Sequence, residues 1–303
     1  MPVPAPIGFV LITYRDPKQI ARLAAALRAL YGADAPIAIN HNQDQSTLDP
    51  ALLPPDVRWV RPHVPSGWAD WGAVEGAFRA LDLLHAGGAG PDHTVLLSGA
   101  DYPVARPNQV LADLRASGAD AFIDARPVHP THRDPDAAAD GPLGRGVNAG
   151  RSNQEVCYRR YYPTVWRHFG LRLRVRSPWL APLLSPFSAQ RRCWAGEHWW
   201  TLGRRGAEAA LRAWREGGEL VRWFEPRQSP EEAFVHTVVC NEPGLRVDHR
   251  HFRYIDWTSN APHPRLLGLA DLPRIAASGA HFARKFAPDD PALDALDRQL
   301  GIA

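Results

Sequence analysis

The sequence predicts an α/β fold, a mostly parallel sheet flanked by helices. Two apolar runs, residues 8–14 and 94–97, are continuous rather than alternating, as in strands covered on both faces. Between the first run and the next, residues 36–40, lies a stretch with helical spacing, so the chain opens β-α-β. A length of 303 residues with 45% hydrophobic content supplies a sizeable core.

The elements follow in order. Asp16 as N-cap and Pro17 at the first helical position open a helix carried by Ile20, Leu23, Ala24, Leu27 and Leu30. The second strand ends in the polar cluster His41, Asn42, Gln43 and Asp44. No GxGxxG or GK[ST] loop follows the first strand, which disfavours ordinary dinucleotide and P-loop sites. A short strand is expected at 57–60, then a helix through Val74, Ala77, Phe78, Leu81 and Leu84. The strand at 94–97 delivers residues 98–103 at its carboxyl end, where open α/β sheets bind ligands. A helix at 107–117 and a strand at 121–124 come next.

Residues 127–153 read as a long loop, and 177–192, with Trp179 and Phe187, as similarly irregular. Residues 156–169 between them are aromatic and basic. Residues 194–202 are expected to form one bulged strand, followed by a helix from about Arg204. Ser229 and Pro230 then signal an N-cap and first position for a helix through Phe234, Val235 and Val238. No repeat or long linker divides the chain, so one domain spanning 1–303 is expected.

The net charge of +3 is spread along the chain and points to small anionic ligands rather than nucleic acid. Cys157, Cys193 and Cys240 stand far apart without a CxxC, against a disulfide framework or a structural zinc site. The apolar run at 7–12 is too short for a signal peptide or membrane span. A cytoplasmic chain is expected, free or peripheral at the inner membrane face. Abundant Ala, Arg and Pro suggest a GC-rich bacterial genome.

Of 35 basic residues only two, Lys18 and Lys285, are lysines. A lysine kept at 285 among apolar residues suggests a demand for a compact ammonium, such as a phosphate contact. Asp248-His249-Arg250-His251 puts two His on one strand face without a third ligand, so a hydrolytic metal site is disfavoured. Gly196-Glu197-His198 is not HExxH, and no GxSxG elbow is present.

Several segments together resemble the Core-2/I-branching glycosyltransferases, the β-1,6-N-acetylglucosaminyltransferase and peptide O-xylosyltransferase group. They are residues 37–42, Trp71-Gly72, 97–103, 196–202, 229–232, 254–257, His263-Pro264-Arg265 and 282–286, in order over about residues 7–290. The resemblance implies a GT-A-type, Rossmann-like fold with a nucleotide-binding half at 7–125. An acceptor- and diphosphate-binding half at 126–303 completes it. It also implies inverting, metal-independent transfer from a UDP-sugar to a glycan, lipid-linked glycan or peptide. GlcNAc is the first expectation for the sugar and xylose the alternative.

On this resemblance Glu232 is the general base, with Glu231 the neighbouring competitor or a helix-stabilising charge. Lys285 and Arg265 match diphosphate-binding positions, and Arg253 and Arg284 are nearby candidates. Trp257 and Asp124 match acceptor contacts. The strand before Ser98 supplies only Asp101, not an Asp-x-Asp pair, so a tightly held Mg²⁺ or Mn²⁺ is not expected. Asp101 either binds the donor or supports its loop. One departure stands out: Asn42 replaces an acid that helps position the nucleotide. A carbohydrate-binding protein without turnover is the reading from another class; it has no need of Glu232.

Overall fold

The computed structural model describes residues 6–88, 90–128, 153–162, 164–168, 171–175, 184–258 and 263–302. The first part runs β1 (Ile7–Thr13), α1 (Pro17–Tyr31), β2 (Ile37–His41), β3 (Arg58–Trp59), α2 (Trp71–His85), β4 (His93–Ser98), β5 (Asp101–Pro103), α3 (Pro107–Ser117) and β6 (Ala121–Ile123). Then come β7 (Arg126–Val128), α4 (Asn153–Tyr161), β8 (Thr164–His168), β9 (Leu171–Val175), β10 (Cys193–Ala195), β11 (Trp200–Gly203), α5 (Arg204–Arg215), α6 (Glu219–Phe224) and α7 (Phe234–Asn241). The chain closes with β12 (Val247–Asp248), β13 (Arg253–Ile255), α8 (Leu272–Ala277), β14 (Phe282–Arg284) and α9 (Pro291–Leu300).

The main sheet has the order β12-β6-β11-β4-β1-β2-β3. Its pairings are parallel except those of β11, which runs antiparallel to both β4 and β6. Strand alternation explains the continuous apolar runs. Val10, Ala38 and Leu96 face one core with Phe78, Leu81 and Phe234. Phe9, Leu11, Ile39 and Leu97 face the other with Leu23, Leu27, Val110 and Leu293. The mostly parallel α/β sheet expected from the sequence is therefore present.

A three-stranded sheet, β13-β14-β5, sits beside the carboxyl end of β4. Its register sets Arg284 opposite Asp101 on one side and Ile255 on the other. Among the described residues no helix is long and apolar enough to cross a membrane.

Three local expectations are corrected. Asp16 precedes α1 with φ of 57° and makes no capping hydrogen bond, its carboxylate lying 3.4 Å from Arg15 instead. The single bulged strand at 194–202 is two strands in different sheets, β10 on β7 and β11 on β4 and β6. The chain changes sheets at Gly196, where a Cβ would fall 1.7 Å from the Asp124 carbonyl oxygen. Ser229 has φ of 53° and makes no side-chain cap. Pro230–Glu232 is one 3-10 turn, and Ala233 at φ −143° separates it from α7. Glu232 is thus on a tight turn, not in the first turn of an α-helix.

The expected loop at 127–153 is broken at both ends. Pro127 and Val128 belong to β7, which pairs with β10, and Asn153 opens α4. Residues 129–152 and 176–183, including Trp179, lie outside the described residues. Phe187 is buried against Tyr162, Trp223 and Phe224.

Candidate active site

The carboxyl ends of β1 and β4 and the residue after β14 border a cavity of about 190 Å³. Arg15, Asp16 and Gln19 line one side, Gly99 and Ala100 another, and Leu266, Lys285 and Phe286 a third. Burial, then the positive charges of Arg284 and Arg15, push the Lys285 ammonium down to about 8. An anion placed here would relieve that repulsion. The cavity is smaller than a typical small-molecule site, the size of a subsite.

Arg284 is sandwiched. Its guanidinium lies 4.0 Å from the Trp199 ring centroid, its Nε is 3.5 Å from an Asp101 oxygen, and it is 9% exposed. Asp101 is fully buried and accepts hydrogen bonds from the Ser98 backbone N–H, at 2.8 Å, and the Ser98 hydroxyl. Its geometry is that of a loop support. Arg253 is also buried, donating to the carbonyls of His251 and Leu96, which ties β13 to β4. Burial lowers its guanidinium to about 10.

Arg265 is 36% exposed and oriented by two buried carboxylates. It donates to Asp256 at 2.6 and 3.1 Å and to Asp271 at 2.6 and 3.1 Å. The Leu267 N–H donates to the Lys285 carbonyl, placing the Arg265 segment beside Lys285. Asn42 is committed locally. Its amide donates to the Ser66 carbonyl and its oxygen accepts the Asp44 N–H, holding the turn after β2.

A second cavity, of about 600 Å³, is lined by Asp124, Arg126, Glu197, His249, Arg253 and Trp257, among others. The charges of Asp124 and Glu232 both act on Glu197, so these acids form one electrostatic group with Glu231. Glu232 receives a 2.6 Å hydrogen bond from Arg160. Although 38% of its side chain is open to solvent, desolvation by the surrounding protein raises its carboxyl, and Arg160 opposes that rise. Burial and the Glu232 charge push Glu231 up to about 8, and its Oε2 has no hydrogen-bond partner. Burial, then the charges of Glu232 and Asp124, raises Glu197 to about 7. Burial raises Asp124 as well, against the opposing charge of Arg126. The Trp257 indole N–H favours the ionised form of Glu197 while falling short of a good hydrogen bond.

The backbone joins these groups. The Gly196 N–H donates to the Glu232 carbonyl at 2.9 Å, and the Ser229 N–H to the Ala69 carbonyl at 2.9 Å. Ser229 is thus held in its left-handed conformation, and the turn presents Glu231 and Glu232 together. Among the described residues no group of three or more His, Cys, Asp or Glu is arranged to hold a metal ion. His249 stacks on Trp194, and the His251 ring accepts the Arg253 N–H.

Three site residues escape sequence reasoning: Arg15, Arg160 and Glu197. Glu197 left a signal, a single acid within the aromatic stretch Trp194-Ala195-Gly196-Glu197-His198-Trp199-Trp200. Buried acids in such company need a reason. Arg160 lies in the aromatic, basic stretch, but nothing in its spacing points to Glu232.

Residues 148–276 match the family model described as "Core-2/I-Branching enzyme". Over 110 residues the chain is 33% identical to beta-glucuronosyltransferase GlcAT14A of Arabidopsis thaliana, covering 35% of this chain and 24% of that protein. It is 34% identical to GlcAT14B of the same plant, covering 35% and 25%. The aligned stretch is thus about a quarter of the length of these curated relatives. Among solved structures, the galactosyltransferase LgtC aligns at 11% identity and a TM-score of 0.39, over 97% of this chain and 95% of that one. The bifunctional glycosyltransferase WbbM aligns at 9% identity and 0.38, over 97% and 49%.

Proposed function

We propose that this chain is a Core-2/I-branching-type glycosyltransferase of GT-A architecture. It would move a sugar with inversion from a UDP-sugar to a glycan, lipid-linked glycan or peptide hydroxyl. The observation that carries this reading is the turn at Glu232: it lies within the segment matching the family model, and its carboxylate is held by Arg160.

The roles follow from charge. Burial and the Glu232 charge push Glu231 up to about 8, which favours its neutral form, while Arg160 favours the carboxylate of Glu232. Glu232 would accept the acceptor hydroxyl proton as that oxygen attacks the anomeric carbon and the bond to the diphosphate breaks. The leaving diphosphate would be met by Lys285, with Arg265 pre-oriented by Asp256 and Asp271 and Arg15 lining the same cavity as Lys285. In this reading side-chain cations stand where a metal ion often stands. GlcNAc is the first donor sugar proposed and xylose the second; the relatives' names add glucuronate.

A UDP-release assay with UDP-GlcNAc, UDP-xylose and UDP-glucuronate tests the reading. Release with one donor, lost in Glu232→Gln, is expected. No release with any UDP-sugar would leave the carbohydrate-binding alternative; full release by Glu232→Gln would reject the base.

A further inference from the structure

The cavity of about 190 Å³ beside Lys285 holds a polar group that the transfer scheme leaves unused. Gln19 lines this cavity from the first turn of α1. It is 3% exposed, and its side-chain amide nitrogen is buried without a hydrogen-bond partner. An amide N–H taken from water and given no acceptor destabilises the fold, so most such groups are paired. Here the missing acceptor can come from whatever fills the cavity. The walls around Gln19 are fixed. A Cβ on Gly99 would fall 3.1 Å from Ile20 Cγ1, so the first turn of α1 lies close against the turn after β4. The Phe286 N–H donates to the Ala100 carbonyl at 3.1 Å, which ties the Lys285 segment to that same turn. The amide end of α1 also borders the cavity. Pro17 has no N–H, the Ile20 N–H donates to the Asp16 carbonyl, and the Asp16 side chain caps none of the others. The end of a 15-residue helix thus adds partial positive charge to that of Lys285 and Arg15. Asp16 is the single acid among the described lining residues, against two bases, and it lies 3.4 Å from Arg15. These groups together call for an anion with oxygen acceptors.

We propose that Gln19 is a phosphate-binding residue: with the amide end of α1 it completes the site of Lys285, its carboxamide donating to a phosphate oxygen. That the phosphate belongs to the donor's diphosphate rests on the transferase reading; the site itself does not. A phosphate oxygen accepts from an amide N–H, and a charged acceptor makes that bond stronger than a neutral one. Helix amide ends favour such anions. The volume is that of a subsite, which suits a phosphate group and leaves the nucleoside outside.

The test is calorimetry on the full chain with UDP, pyrophosphate and uridine, for the wild type and Gln19→Met. The substitution keeps the length of the side chain and removes the donor. It should weaken UDP and pyrophosphate by about tenfold or more, the worth of a hydrogen bond to a charged group, and leave uridine binding unchanged. The urea midpoint of Gln19→Met should equal or exceed that of the wild type, because an unpartnered amide leaves the interior. A glutamine that only supports the fold predicts the opposite pair, UDP affinity kept and a lower midpoint. A second measurement needs only the wild type, carrying isotopically labelled glutamine. The Gln19 side-chain amide protons should move downfield in NMR with UDP and with pyrophosphate, and stay in place with uridine. A Gln19 amide that UDP does not move, no binding of UDP or pyrophosphate by the wild type, or an unchanged UDP affinity in Gln19→Met overturns the proposal. Pyrophosphate binding lost in Gln19→Met, in a chain that releases no UDP from any UDP-sugar, would sink the transferase reading and keep this one. UDP release by a chain whose UDP affinity Gln19→Met does not change would do the reverse.

Discussion

Glu231 and Glu232 are adjacent in sequence and differ in what touches them. Arg160 holds Glu232, whereas Glu231 Oε2 has no partner. Glu232→Gln should lower the transfer rate by roughly 10²–10⁴-fold, the usual worth of a positioned base. A base works only when ionised, and desolvation raises the Glu232 pKa, so activity should fall as pH drops through that raised value. Arg160 counters the rise. Arg160→Leu should therefore move the acid limb of the kcat/KM profile up by about 1–3 pH units. An unmoved limb would show that Glu232 is not the titrating group.

The two diphosphate candidates separate by a different measurement. Lys285 is repelled by Arg284 and Arg15, so Lys285→Ala should leave unfolding free energy unchanged. It should weaken UDP binding by roughly ten- to hundredfold, the worth of a charged hydrogen bond. UDP affinity of the wild type should also decline as pH rises through about 8, where the ammonium loses its proton. Arg265→Ala should weaken UDP as well but also cost about 1–3 kcal/mol of stability, since it leaves the buried Asp256 to Thr258 and the buried Asp271 to Gly268 and Arg274. Calorimetry with UDP and urea unfolding read the two quantities separately.

At the scale of elements, the site depends on short pieces brought together by close backbone approach. Gly196→Ala would drive a methyl into the Asp124 carbonyl and loosen both Glu197 and the Glu232 turn. A cost of about 1–3 kcal/mol in urea unfolding is expected, with reduced UDP-sugar turnover. Long elements were legible beforehand. The apolar run at 8–14 and the proline at the start of the 107–117 helix carry their own local signal, and β1 and α3 lie within a residue of where these signals put them. The 194–202 stretch reads as one strand because aromatic residues stand on both sides of the break, Trp194 before it and Trp199 and Trp200 after, and only tertiary contact at Gly196 tells one strand from two. Ser229 was misread as a cap because its left-handed conformation is imposed by the Ala69 carbonyl, 160 residues away in sequence.

Across the whole molecule, two-sided burial of the sheet follows from composition and strand pattern, while the site follows only in part. Lys285 stands out because this chain uses arginine nearly everywhere else, and Glu232 because segment 229–232 resembles the family's base-bearing segment. The pairing of Arg284 with Asp101 was not legible. It depends on the register of three short strands drawn from distant parts of the chain. On the proposed reading, the cations of the Lys285 region and the carboxylate of Glu232 carry out the transfer with side chains in place of a metal ion. The most direct test is transfer from a UDP-sugar in excess EDTA, with the product anomer assigned by NMR. An undiminished rate and an inverted anomer are predicted; loss of rate restored by Mn²⁺, or a retained anomer, would contradict the mechanism.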